Sequence, residues 1–206
     1  ECNVHVMNLP LNRTDDNGLE FCVSEYYRFL SALEQATGHR VTWNSLWKSI
    51  DLVGQAQYEL SRFTELRQGQ RALLKGTHVM AMMNASAYMP IAEWTQQLHL
   101  LNEELLRRKA DGIYVTKANR PRILLTGSPI AFPNIKVPLL IEQMGGSLVA
   151  DETCMGERSL YDPVVPVDMT FDGLLRALAN RYIRACTCPV FSENRQRIDR
   201  ILHMFR

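Results

Sequence analysis

The spacing of apolar residues changes along the chain, and the changes mark out its elements. Residues 3–9 alternate apolar and polar positions, as a half-buried strand does, and Pro10 with the polar run 12–18 closes them in a loop. From Leu19 the period lengthens. Leu19, Cys22, Val23, Tyr26, Leu30 and Leu33 trace one face of a helix, and Gly38 stands where a helix ends. Thr42 is a suitable N-cap for a second helix whose buried side is Trp43, Leu46, Trp47, Ile50, Val53, Leu60 and Phe63. Met80, Met82, Met83 and Met89 lie in a third helical stretch and read as filling for an irregular core. Pro90 opens a long helix with Ile91, Trp94, Leu98, Leu101 and Leu105 on one stripe, ended by Asp111-Gly112. Residues 1–110 are therefore expected to be mainly helical, with an initial strand.

The pattern then becomes that of a layered fold. After a linker over 117–121, the apolar run Ile123 to Leu125 breaks at Thr126-Gly127-Ser128-Pro129, as a buried strand ends in a turn. Pro138 starts a short apolar helix with Leu139, Leu140, Ile141 and Met144, and Gly145-Gly146 stops it. A second strand, Ser147 to Ala150, follows at once. This is a βαβ unit, and such units carry their functional loops at the carboxyl ends of the strands. Here those loops are Gly127-Ser128-Pro129 and Asp151 to Arg158. A helix with Phe171, Leu174, Leu175, Leu178 and Tyr182 inward comes next, capped by Asp168 or Thr170. Cys186-Thr187-Cys188-Pro189 interrupts, and a last helix capped by Ser192 carries Ile198, Ile201, Leu202 and Phe205. The fold class is α/β, with a mostly helical half over 1–110 and a parallel βαβ layer over 111–206.

Composition narrows the function classes. At 206 residues and 46% hydrophobic content the chain can bury a sizeable core, while a net charge of +1 gives no field for nucleic acid or an anionic membrane. No apolar run approaches the ~18 residues that cross a bilayer, so a cytoplasmic location is expected. Five cysteines are an odd number, which suits intracellular thiols or metal ligands better than a disulfide framework. Cys2 and Cys22 read as structural. Cys154, Cys186 and Cys188 fall in two loops that the layer could bring together, and thiolates select iron–sulfur clusters or zinc. Against that, there is no Cys-x-x-Cys, and His5, His39, His78, His99 and His203 show no ligand rhythm. Buried core thiols remain the alternative. Ser128 lacks a partner for nucleophilic chemistry, and its loop lacks a phosphate-binding glycine fingerprint. Glu157-Arg158 could hold an anion such as a CoA phosphate, or close the loop as a local ion pair. The basic residues at 107, 108, 109, 117, 120 and 122 read as a solvated face.

Four segments together carry a family resemblance: GSPI at 127–130, KVPLLIE at 136–142, GGSLVADETCMGERS at 145–159, and RYI with CPVF between 181 and 191. They resemble the 2-hydroxyacyl-CoA dehydratase and benzoyl-CoA reductase family, of the 2-hydroxyglutaryl-CoA dehydratase D-component type, and the likeness extends over nearly the whole chain. It implies flavodoxin-like α/β domains with helical additions and an iron–sulfur cluster held by cysteines. It also implies electrons from an ATP-driven activator protein, an acyl-CoA substrate, and a homologous second subunit or a second copy as partner. By the same resemblance, Cys154 is the expected cluster ligand, Cys188 is a weaker one and Cys186 weaker again. From the loops themselves, Ser128 and Arg158 are candidates for substrate contact. No catalytic residue is assigned. A family subunit is roughly twice this length, so the chain is expected to be the middle of one. The alternatives from other classes are a non-catalytic interaction module and a double-cubane cluster reductase of small molecules.

Overall fold

The computed structural model describes residues 4–13, 15–184 and 194–205. The chain divides into two units, Glu1–Asp51 with Asp162–Ser192, and Leu52–Tyr161 with Glu193–Arg206. The change of pattern near residue 110 falls inside the second unit. Among the described residues no helix is long and apolar enough to cross a membrane.

The first unit is built on helices α1 (Asp16–Thr37) and α6 (Phe171–Arg184), with the opening turns of α2 (Trp43–Leu66). Local chemistry sets their ends. Asp15 caps α1 by accepting from the Gly18 amide at 2.8 Å, and Gly38 closes it in the left-handed region with φ 70°. At α2, the Thr42 hydroxyl accepts from the Ser45 amide at 3.2 Å. At α6, Asp168 and Thr170 share one cap. The Thr170 hydroxyl accepts from the Gly173 amide at 3.0 Å, while Asp168 takes the Thr170 amide and hydroxyl at 2.8 and 2.9 Å. Cys22, Val23, Leu175, Ala179 and Ile183 form the core between α1 and α6. Burial pushes the Cys22 thiol up, as expected of a structural cysteine.

The expected strand over 3–9 is not formed by its described residues, 4–9. Val4 and Val6 are 81% and 67% exposed. Alternation makes a strand only where a neighbouring strand takes up its amides. Here the segment is held by side chains, with the Asn8 amide on Glu25 at 2.7 Å and Arg28 on the Val6 carbonyl at 2.5 Å.

The second unit has the larger core. The rest of α2 packs with α3 (Gly76–Ala85) and α4 (Ile91–Ala110) around Phe63, Leu73, Val79, Met83, Trp94, Leu98 and Leu105. The methionines fill this core as expected, with Met80 and Met83 fully buried. The Trp94 indole donates to the Met82 carbonyl at 2.8 Å, and the buried Asn102 amide donates to the Glu59 carbonyl at 2.9 Å.

The βαβ unit forms as read. Strands β1 (Arg122–Gly127) and β2 (Ser147–Thr153) pair in parallel, with α5 (Lys136–Gln143) between them in sequence. The register steps once. Ile123 pairs with Leu148 but Leu124 with Ala150, so Val149 is the extra residue. A Cβ on Gly76 would lie 2.4 Å from that of Leu148, so glycine is what lets the start of α3 approach β2. A short 3-10 helix (Glu157–Leu160) and α7 (Asn194–Phe205) complete the unit.

Candidate functional site

Strand β2 runs three residues beyond the apolar segment that announces it. Asp151, Glu152 and Thr153 are in the strand and fully buried, instead of opening a loop. Two carboxylates in a buried strand require compensation, and arginines supply it.

Glu152 is completely buried and faces three guanidinium groups. Arg197 approaches both of its oxygens, from Nε to Oε1 at 3.1 Å and from Nη2 to Oε2 at 2.8 Å. Arg158 Nη1 lies 3.2 Å and Arg200 Nη2 3.5 Å from Oε1. The Thr126 hydroxyl, on β1, donates to Oε2 at 2.6 Å. Burial opposes ionisation of Glu152, but the hydrogen bonds from Arg197 and Thr126 and the fields of Arg158 and Arg197 outweigh it and hold the carboxyl at about 2. Asp151, its neighbour, is driven the other way. Burial raises its carboxyl, the Thr153 amide at 2.9 Å offsets part of that, and the nearby Glu157 adds to it.

Glu157 and Arg158 are not a local ion pair. Glu157 turns to α2, where Arg67 approaches it at 2.5 Å and the Thr64 hydroxyl at 2.8 Å, and Arg158 turns to Glu152. Adjacent residues on a tight turn project in different directions, and each finds a buried partner. Arg67 also donates to the Val149 carbonyl at 2.8 Å, at the step in register. The turn itself needs Gly156, where a Cβ would stand 2.4 Å from Asp151 Cγ and 2.5 Å from the Asp151 carbonyl oxygen.

Cys154 emerges from this framework with its side chain exposed. Arg158 Nη2 donates to its sulfur and, at 3.4 Å, to the Gly127 carbonyl, and the thiol itself points at that carbonyl from 3.8 Å. One buried arginine thus ties together the carboxyl ends of both strands. Ser128, exposed, is the next residue after Gly127. Of the residues expected to form a site, the structure therefore gathers Cys154, Arg158 and the Gly127-Ser128 turn at one end of the sheet. Arg158 is 2% exposed and its guanidinium is committed to protein atoms. Cys186 and Cys188 lie outside the described residues.

Glu152, Thr126, Arg197, Arg200 and Arg67 do not stand out as site residues in the hydrophobic pattern of the sequence. A signal was present for two of them, since Arg197 and Arg200 are three apart on α7 and so share a face. The apolar stripe drew attention instead, yet Ile198 and Leu202 are both 54% exposed while Arg200 and Met204 are buried. The inward face of α7 is the one that brings Arg197 and Arg200 to Glu152 and buries Met204.

In its chemistry the site offers one exposed soft sulfur to which the Arg158 guanidinium donates. As a metal ligand Cys154 would supply one thiolate. Among the described residues no group of three or more His, Cys, Asp or Glu is arranged to hold a metal ion.

The family model for the 2-hydroxyglutaryl-CoA dehydratase D-component matches residues 1–206. The chain is 28% identical over 202 residues to an Escherichia coli (strain K12) protein named "Putative dehydratase subunit YjiM", covering 98% of this chain and 51% of that one. It is 23% identical over 175 residues to the (R)-phenyllactyl-CoA dehydratase beta subunit of Clostridium sporogenes, covering 85% of this chain and 45% of the other. The chain thus spans about half the length of the curated relatives it matches. With its full length matched by the family model, this chain belongs to the 2-hydroxyglutaryl-CoA dehydratase D-component family.

Proposed function

We propose that the chain is part of a subunit of a 2-hydroxyacyl-CoA dehydratase, with Cys154 as one ligand of an iron–sulfur cluster. The observation that carries this reading is the exposed Cys154 thiol at the carboxyl end of β2, with the Arg158 guanidinium on its sulfur. Family membership and the dehydratase relatives support the reaction class. When bound, such a cluster supplies one-electron chemistry at low potential.

The chain's own residues prepare the ligand. Arg158 donates to the sulfur and so fixes its position, and Glu152 holds Arg158 from behind. Glu152 itself is kept ionised by Arg197 and Thr126, so the guanidinium at Cys154 is fixed by a buried anchor. The Gly127 carbonyl, bound by the same guanidinium, keeps the Gly127-Ser128 turn close to the sulfur, where the acyl-CoA is expected to approach. Electrons arrive from a separate ATP-dependent activator, and a homologous subunit or a second copy completes the enzyme.

The test is iron and acid-labile sulfide in the full-length parent, purified without oxygen. Cys154→Ser is expected to lower both, whereas Cys22→Ser leaves them unchanged because Cys22 sits in the core between α1 and α6. Colourless, iron-free parent protein, or equal loss in both variants, would refute the assignment.

A further inference from the structure

At the end of the strands remote from Cys154, the second unit contains a cavity of about 500 Å³, lined among others by Lys75, His78, Arg120, Leu139, Glu142 and Ser147. That volume is in the range of small-molecule sites. Its walls come from four separate segments, and hydrogen bonds fix each of them. The connector between α4 and β1 is clamped to the chain before α3, with the Val115 amide on the Ala72 carbonyl and the Ala72 amide on the Thr116 hydroxyl, both at 2.8 Å. Arg71 lies over the Tyr114 ring at 3.8 Å in the same clamp. The start of α3 is bound to α5 through Glu142, whose two oxygens take the Thr77 amide at 3.3 Å and the Thr77 hydroxyl at 2.7 Å. The fourth wall is the start of β2, where the Ser147 amide donates to the Pro121 carbonyl at 2.8 Å.

The charge of this cavity is not balanced from within. Glu142 is its one carboxylate, and both its oxygens are spent on Thr77. Lys75, His78 and Arg120 make no ion pair or side-chain hydrogen bond with any described residue. Most of the arginines in the second unit are, by contrast, engaged, as Arg62, Arg67, Arg107, Arg108 and Arg158 show. A walled cavity that gathers a lysine, a histidine and an arginine, with the Leu139 and Val115 side chains beside them, suits a ligand with a compact multiply charged anion on a partly apolar body.

We propose that this cavity binds the phosphate monoester group of a small organic molecule, with Lys75 and Arg120 as its principal cationic contacts. The assignment is independent of the role of Cys154. Isothermal titration of the chain with inorganic phosphate at fixed ionic strength tests it. Saturable binding is expected, and Lys75→Ala combined with Arg120→Ala is expected to weaken it about tenfold or more, as loss of charge-assisted hydrogen bonds does. Both side chains are exposed, so the helical circular dichroism of the double variant stays as in the parent chain. His78→Glu, which places a like charge in the same cavity, is a second variant with the same expected loss. Competition separates two sources of the group. Displacement of phosphate by coenzyme A but not by dephospho-coenzyme A assigns the site to the 3′-phosphate of a CoA thioester. No displacement by either, with phosphate still bound, assigns it to a separate phosphorylated metabolite. Absence of saturable phosphate binding, or binding that the variants leave unchanged, would overturn the proposal.

Discussion

A single buried carboxylate governs the end of the sheet. Removing the charge of Glu152 takes from three guanidinium groups the buried carboxylate they share, and breaking a buried pair in this way costs about 3–5 kcal/mol. Glu152→Gln is therefore expected to lower stability by that amount, read from urea unfolding, although the substitution hardly changes volume. Its pH dependence follows from the direction of the shift. A carboxyl held at about 2 in the folded chain and near 4.5 when unfolded contributes stability that is complete above about 4.5 and lost as pH falls through about 2. Asp151 acts with the opposite sign, since its raised carboxyl disfavours the folded chain once ionised. Acid unfolding of the parent below pH 4.5, and a flatter profile in Glu152→Gln, would show the first effect. At this scale the sequence was least legible. Nothing in the run Leu148 to Thr153 shows that Glu152 is buried and paired, because three of its partners are residues 126, 197 and 200, which only the fold brings near.

Elements were far more legible, because their signals are local. The Gly38 terminus of α1, the Thr42 start of α2, the Pro90 and Asp111-Gly112 limits of α4 and the Gly145-Gly146 stop after α5 all follow from residues within a turn of the boundary. The segment over 4–9 misled for a complementary reason, since a strand depends on a neighbour that its own sequence does not specify. Two substitutions test the local logic. Thr170→Ala removes the hydroxyl that caps α6 and is expected to cost about 1 kcal/mol, measured by thermal unfolding. Gly156→Ala forces a methyl group against Asp151 and is expected to be considerably worse. It should also loosen the Cys154 turn, which a thiol-specific reagent would report as faster alkylation in the variant.

Across the whole molecule, each of the two units has its own apolar centre, and each was foreshadowed by helical periodicity. Leu175 belongs to the first centre and Leu98 to the second, both within 2% of full burial. Truncation of either to Ala is expected to cost about 2–5 kcal/mol, seen as faster amide exchange in the helices of its own unit. The division of the chain into Glu1–Asp51 with Asp162–Ser192, and the rest, was not legible. Periodicity describes single elements, and neither return of the chain, at residue 162 or at residue 193, has a marker that tells which core receives the next helix.

The extra residue in β2 shifts every later position by one place along β1. If Val149 took a place of its own opposite Leu124, the partner of Thr126 would be Asp151, and Thr153 would stand one place beyond the end of β1. With Val149 left unpaired, Thr126 meets Glu152, Gly127 meets Thr153, and the next position belongs to Cys154. A one-residue offset, made twenty-odd ångströms of chain before the turn closes, thus chooses which of two neighbouring side chains is delivered to the tip, a distance of about 3.3 Å per residue along the strand. The chain therefore has a reading frame in space. Deleting Val149 alone should remove the step without moving the frame, since Ala150 already faces Leu124, so that Glu152 keeps its arginines and the thiol its place. Inserting one alanine between Ala150 and Asp151 should instead present the Thr153 hydroxyl where the thiol now stands and leave Glu152 without its arginines. Deleting Thr153 from that variant should return the sulfur to its place but not the carboxylate, so that labelling of the thiol recovers while stability does not.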